Sequence, residues 1–323
     1  MRILSGIKPT GDQFHIGNYL GAVKEWVREQ DENTNDEHIY FIPNLHALTS
    51  MRDGKALREN TTNIVLQLIA AGIDPDKSTI YRQSDIPFNA ELTWILNCLC
   101  PMGLLERAHS YKDSVAKGKD INVGVFDYPV LMTSDIILYQ VDRVPVGADQ
   151  KQHVEIARDL AIKFNNAYGE TFKLPEPLIK KEVGTIPGTD GQKMSKSYGN
   201  TIGVFEDESS IKKKVMAIVT DSKAVEEPKD PETCNVFQLL KHFAPQNILE
   251  DVRAKYLEGG IGYGDTKKIL FEHMMRELEP IRTRYDELKK NPQMIEEVLR
   301  EGAKKAHEIA WKTMKVVREK VGI

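Results

Sequence analysis

Three observations predict an α/β fold, a doubly wound parallel sheet with a smaller all-helical domain behind it. Short apolar runs alternate with helical patterns over the first two-thirds of the 323 residues. Beyond Ser209 the strand signals give way to helices with charged faces. Between the two regimes stands a glycine-rich boundary, Pro187, Gly188 and Gly191 before residue 193, Gly199 and Gly203 after residue 197. Alternation of strand and helix over this length implies a parallel sheet covered on both faces.

Taken in order, Ile3-Leu4, Ile39 to Ile42, Thr79 to Tyr81 and Val144 to Val146 read as buried strands. Amphipathic helices lie between them. Leu20, Val23 and Val27 share a face, as do Ile64, Leu68 and Ala71. A third helix, Asp149 to Phe164, puts Ile156, Leu160 and Phe164 on one side. The run Gly259 to Gly264 separates two helical blocks, and Pro292 precedes a final long helix, Gln293 to Val321. The resulting division is a Rossmann-like domain over 1–190 with a loop at 191–200 on its edge, a helical domain over 204–292, and a C-terminal helix over 293–323. In such sheets ligands bind in loops at the carboxyl ends of the strands.

Composition narrows the classes. Hydrophobic residues make up 41% and charged residues 28%, the balance of a soluble globular chain. The uncharged run Thr61 to Ile73 falls short of the roughly 20 apolar residues a membrane span needs. The start of the chain, with Arg2 alone and a break at Ser5-Gly6, does not read as an export signal. Cys98, Cys100 and Cys234 make neither a disulfide framework nor a metal-ligand pattern, and read as buried thiols in a reducing cytoplasm. Net charge is −4, against a general RNA binder, although distribution matters more than the sum. From Arg300 to Ile323 seven Lys/Arg face three Asp/Glu, and Lys212 to Lys214 form a second basic knot; solvated helix faces account for both equally well.

Four segments carry residues with chemistry. Lys193-Met194-Ser195-Lys196-Ser197 puts two ammonium groups and two hydroxyls between glycines, where they can meet one polyanion. Gly6 to Asn18 follows the first strand and opens the first helix. Its glycines permit close backbone approach, and a helix start offers free N–H groups and partial positive charge to phosphate. His15 could donate to a phosphate there. In Tyr128 to Ile136, helical spacing turns Met132 and Asp135 the same way. A thioether and a carboxylate facing one pocket suit an aromatic ligand with a donor, such as indole. Capping or ion pairing would explain Asp135 as well. The fourth segment, Val144 to His153, is a strand, a glycine turn and a helix start, with Asp149 and Gln150 placed to meet a ribose or an amino group, or to cap the helix.

These segments are specific together. His15-Ile16-Gly17-Asn18 resembles the HIGH element of class I aminoacyl-tRNA synthetases, and residues 193–197 match the KMSKS element of that class letter for letter. With Ser5 to Gly11, His46-Ala47, Tyr128-Pro129, Met132, Asp135 and Val146 to His153, the whole chain resembles tryptophanyl-tRNA synthetase of the bacterial type.

The resemblance implies an ATP site formed by Lys8, Pro9, Thr10, Gly17 and Asn18, with Gly147, Ala148 and Asp149 on the ribose side and Ile186 near the adenine. It implies that Lys193, Met194, Ser195, Lys196 and Ser197 close over the phosphates. Lys193, Lys196, Lys112 and His15 would act on the reacting phosphates, with Mg2+ held mainly by ATP. Asp135 would receive the indole N–H, Tyr128 and Gln150 the ammonium group, and Met132, His46, Gly6, Val144 and Val146 would line the tryptophan pocket. It further implies ATP and L-tryptophan as substrates, tRNA(Trp) as partner, anticodon binding by the helical domain, a last helix packed back on the catalytic domain, a homodimer and a cytoplasmic location. Two rivals stay open on residues alone. A carboxylate also accepts from a phenol, so a tyrosyl-tRNA synthetase fits. A small-molecule adenylyltransferase with a similar histidine–glycine element fits too, but leaves the helical third unused.

Overall fold

The computed structural model describes residues 1–323 except 117, 119, 120, 148, 149 and 180–185. Its five strands are β1 (Arg2–Gly6), β2 (Glu37–Ile42), β3 (Ser78–Arg82), β4 (Arg143–Val146) and β5 (Glu176–Ile179). They form one sheet in the order β3-β2-β1-β4-β5, parallel at every pairing. Chain order reverses between β1 and β4, so the crevice for a ligand opens at their carboxyl ends.

The apolar runs at Ile39–Ile42 and Ile80-Tyr81 form strands because both of their faces are covered, with Ile39, Ile42 and Tyr81 fully buried. No pattern in Glu176-Pro177-Leu178-Ile179 announces β5. Pro177 breaks the strand signal, yet β5 is an edge strand, where a missing N–H on the outer side costs nothing.

The helices are α1 (Ile16–Asn18), α2 (Lys24–Glu32), α3 (Asn44–Ala47), α4 (Gly54–Ala71), α5 (Phe88–Asn97), α6 (Met102–Glu106), α7 (His109–Ala116) and α8 (Val123–Ile137). After β4 come α9 (Lys151–Tyr168), α10 (Glu208–Met216), α11 (Asn235–Leu240), α12 (Gln246–Glu258), α13 (Tyr263–Leu288) and α14 (Pro292–Val321). A π-helical turn, Tyr19–Val23, joins α1 to α2. Pro292 sits in the first turn of α14, where its missing N–H is an orphan anyway and its fixed φ suits the helix.

Two apolar cores cover the sheet. One gathers Leu20, Val23, Ile64 and Leu68 with Val236, Leu239, Leu270 and Met274 of the helical region. The other joins Leu92, Leu96, Ile136 and Ile137 to Leu160 and Phe164. Each such side chain contributes roughly 1.5–3 kcal/mol on burial. Helix α14 bridges both, with Ile295 and Leu299 in the first core and Ala310, Met314 and Val317 in the second. It lies against the edge strand β3, and Gly302 makes the approach possible: a Cβ there would meet the Ile80 carbonyl oxygen at 1.8 Å.

The cysteines depart from expectation. Cys234 is buried, but Cys98 is exposed and Cys100 partly so. Cys98 caps the carboxyl end of α5 one turn after Trp94, which is also exposed, so this face of the helix points to solvent.

Candidate active site

Gly6 ends β1, Val146 ends β4, His46 follows β2 on α3, and Gln83 follows β3. The sheet thus delivers them all to the same rim. Gly6 must be glycine, since a Cβ would sit 2.7 Å from the Phe41 ring.

Beyond β1 the chain runs through residues 7–14 to α1. His15 and Asn18 cap each other: the Asn18 N–H donates to His15 Nδ1 and the His15 N–H to Asn18 Oδ1, both at 3.2 Å. With Nδ1 accepting, the ring proton lies on Nε2, free to donate outward. Burial, then the charge of Lys196, lowers the His15 pKa to about 4. The ring is therefore neutral near pH 7 and able to donate without adding charge.

The lysine loop docks on this segment. Ile16 N–H donates to the Ile202 carbonyl at 2.8 Å, and Gly17 N–H to Met194 Sδ at 3.3 Å. Lys196 lies over Gly11, where a Cβ would stand 2.0 Å from its ammonium. The side chain is exposed as a whole, but this contact takes water from the ammonium and lowers its pKa, while Asp12 pulls the other way. Lys193 is exposed.

A buried amide, Asn200, knits the loop. It accepts from Ser195 N–H at 2.8 Å and donates to Asp190 at 2.7 Å and to the Lys193 carbonyl at 3.1 Å. Met194 N–H reaches the carbonyl of buried Ile186 at 2.9 Å. Gly191 and Gly199 take φ of +82° and +66°, a region that favours glycine, so they turn the chain at each end of the loop.

The second centre is Asp135 on α8, fully buried. His46 Nε2 lies 2.8 Å from its Oδ2. Gln83 Nε2 donates to both carboxylate oxygens at 2.8 and 2.9 Å, and Asn89 Nδ2 donates to Oδ1 at 2.5 Å. A bare buried carboxylate costs several kcal/mol; hydrogen bonds to a charged group return about 1.5–3 kcal/mol each. Such a cage keeps a carboxylate in the interior. His46 also meets Tyr128 edge-on at 6.1 Å, and the Tyr128 hydroxyl lies 2.8 Å from His153 Nε2. Met132, three residues before Asp135 on α8, packs half-buried against the core, and Val144 is buried in β4.

Most of the predicted residues thus gather in two adjoining groups. Lys8 reaches Thr49 Oγ1 at 3.0 Å, and that hydroxyl donates to the His46 carbonyl at 2.8 Å, linking the groups. Pro9 is buried, Thr10 exposed. Gly147 is exposed and its carbonyl accepts from Gln150 N–H at 3.0 Å. Lys112 stands exposed on α7. Ala148 and Asp149 lie outside the described residues. Sequence reasoning missed Gln83, Asn89 and Asn200. Nothing in their spacing marks them; they are polar residues whose burial only the folded chain creates.

The family model for class I tRNA synthetases (W and Y) matches residues 1–279. The tryptophan–tRNA ligase of Fusobacterium nucleatum is 50% identical, covering 100% of this chain and 98% of its own. The Campylobacter jejuni tryptophanyl-tRNA synthetase solved with ADP and tryptophan superposes with a TM-score of 0.92 at 47% identity, 100% of both chains covered. The Mycoplasma pneumoniae enzyme gives 0.83 at 28% identity, over 100% of this chain and 97% of that one. A sheet that switches order at its site, a capped His15 docked against a KMSKS loop and full-length identity near one half lead to one conclusion: the chain belongs to the class I tRNA synthetases of the W and Y family, among the tryptophanyl-tRNA synthetases of bacterial type.

Proposed function

We propose that the chain activates L-tryptophan with ATP and transfers the product to tRNA(Trp). In the first step a tryptophan carboxylate oxygen attacks the α-phosphorus of ATP, the bond to the bridging oxygen breaks, and pyrophosphate leaves. In the second the terminal ribose hydroxyl of the tRNA attacks the carbonyl carbon of the mixed anhydride, and AMP leaves. No enzyme nucleophile is required.

The protein's task is to hold two reactants in line, worth up to about 7–11 kcal/mol in ideal systems, and to stabilise phosphate charge. In this reading Lys193 and Lys196 bind the phosphates, neutral His15 donates through Nε2, and Lys112 approaches the triphosphate. Lys8, Pro9, Thr10, Gly17, Asn18, Gly147, Ala148, Asp149 and Ile186 hold the nucleotide. Asp135 accepts the indole N–H within walls formed by Gly6, His46, Met132, Val144 and Val146, and Tyr128 with Gln150 holds the ammonium. The lysines and N–H donors at the phosphate end suit an anion, so Mg2+ fits there as an ion carried by the triphosphate, whose charge it would neutralise.

The observation that carries this reading is the juxtaposition of the docked lysine loop with a caged, fully buried Asp135 on one sheet rim. Amino-acid-dependent ATP–pyrophosphate exchange with all twenty amino acids tests it: exchange with tryptophan alone is expected, and exchange with tyrosine instead would overturn it.

The helical region over 204–292 is proposed to receive the anticodon, and the enzyme to work as a cytoplasmic homodimer. Among the described residues no helix is long and apolar enough to cross a membrane. Trp94, Met102 and Val123, 72%, 64% and 80% exposed, offer large apolar side chains for a partner copy. Light scattering reads the mass directly; a monomer at working concentration would remove the dimer.

A further inference from the structure

Every acceptor position of Asp135 is already filled. A carboxylate offers about four lone-pair sites. Gln83 Nε2 straddles both oxygens at 2.8 and 2.9 Å, Asn89 Nδ2 takes Oδ1 at 2.5 Å, and His46 Nε2 takes Oδ2 at 2.8 Å. A substrate N–H can therefore bind Asp135 only by replacing one of these donors. The three are not equally replaceable.

Gln83 and Asn89 are fully buried. The Gln83 amide is also clamped from behind, since its Oε1 accepts from the backbone N–H groups of Leu45 and His46 at 3.0 and 3.4 Å. Its NH2 group has no other direction to face. Asn89 stands on α5, which Thr93 ties to α8 through Ser134 Oγ at 2.9 Å. His46 keeps 9% exposure and rides on the four-residue α3.

We infer that Gln83 and Asn89 are positioning residues that fix the plane of the Asp135 carboxylate, and that His46 is the exchangeable donor which the substrate's aromatic N–H displaces. This rests on the reading that Asp135 receives that N–H. Selectivity then belongs to the whole cage. An aromatic amino acid without a donor must also push His46 aside, and it empties one acceptor position of a locked, buried carboxylate, whose Oδ2 then keeps only the bond from Gln83. Without the amide clamps the carboxylate can turn, keep its bond to His46, and admit a donorless ring at little cost.

The test compares tryptophan with 3-benzothienylalanine, in which sulfur replaces the indole N–H, by ATP–pyrophosphate exchange. The wild-type enzyme is expected to prefer tryptophan. Gln83→Met, close in shape and unable to donate, is expected to cut that preference in kcat/KM at least about tenfold, through the amino-acid KM, with the ATP KM unchanged. Asn89→Leu is expected to act in the same direction. A purely structural role would lower exchange with both amino acids equally, and that result overturns the assignment. A wild-type enzyme that does not distinguish the two ligands sinks the reading of Asp135 itself, a separate failure. Independently of any variant, the ring-nitrogen NMR signals of His46 in the wild-type protein are expected to shift when tryptophan binds; unmoved signals overturn the exchange.

Discussion

The Asp135 pocket and the lysine loop face the same rim but are built on opposite plans. Asp135, Gln83 and Asn89 are fully buried, and α8 and α5, which carry Asp135 and Asn89, pack into the second core. Lys193 and Lys196 are exposed, and their loop is held by one buried amide and two left-handed glycines. In the proposed reading the difference follows from what each recognises. Choosing one aromatic ring over another depends on a single N–H, so the acceptor must be dry and immobile, where an unpaired partner is costly. Phosphate charge is large and spread over many oxygens, so cations on flexible stems suffice, and the loop can close and reopen around the reaction.

Four substitutions or titrations bear on this contrast. Lys196→Ala is expected to produce the largest effect, a fall of about 10²–10³ in kcat for tryptophan-dependent exchange, while tryptophan still binds in an equilibrium titration. Near-normal exchange would remove the lysine from the phosphate role. Asp135→Ala should do the reverse. We expect the preference for tryptophan over tyrosine and phenylalanine to drop about tenfold to a hundredfold, with ATP affinity retained. Preference equal to the parent's would show that the pocket reads something other than the N–H.

Asn200→Ala separates the loop's scaffold from its cations. Loss of a buried amide with three partners should cost about 1–3 kcal/mol, lowering the melting temperature by a few degrees and the exchange rate several-fold. An unchanged melt together with unchanged exchange would mean that the amide does not hold the loop.

The smallest effect concerns His15. Its folded-state pKa of about 4 lies below the ordinary value of about 6.5. Between these values the unfolded chain binds the proton and the folded chain does not, so this residue's contribution to stability is complete above about 6.5 and is lost as pH falls toward 4. NMR titration of the ring should show a midpoint near 4; a midpoint near the ordinary value would leave roughly a quarter of the rings charged at pH 7 and overturn the burial argument.

The two regions also differ in how well the sequence foretold them. The loop was legible because its chemistry-bearing groups are consecutive residues, two lysines between glycines, and the glycines take the backbone angles that turn it. Met132 and Asp135 were legible because helix pitch alone turns them the same way, and α8 runs through both. The amides that hold Asp135 were not. Gln83 lies in a short turn after β3, and Asn89 in the first turn of α5, with no period to flag either. The same limit hid β5, whose Pro177 is tolerated only because the strand lies at the sheet's edge.

By itself the sequence determined the alternation of strands and helices, the glycine turns around the lysines, and the side of α8 from which Asp135 projects. These are local matters, set by side-chain period, backbone freedom and covalent neighbours within a few residues. Only the tertiary structure decided that Asp135 would be dry and fully hydrogen-bonded, and that Gly17 would meet Met194 177 residues away. Burial and long-range hydrogen bonds arise where separate elements meet, and no single stretch of chain carries that information.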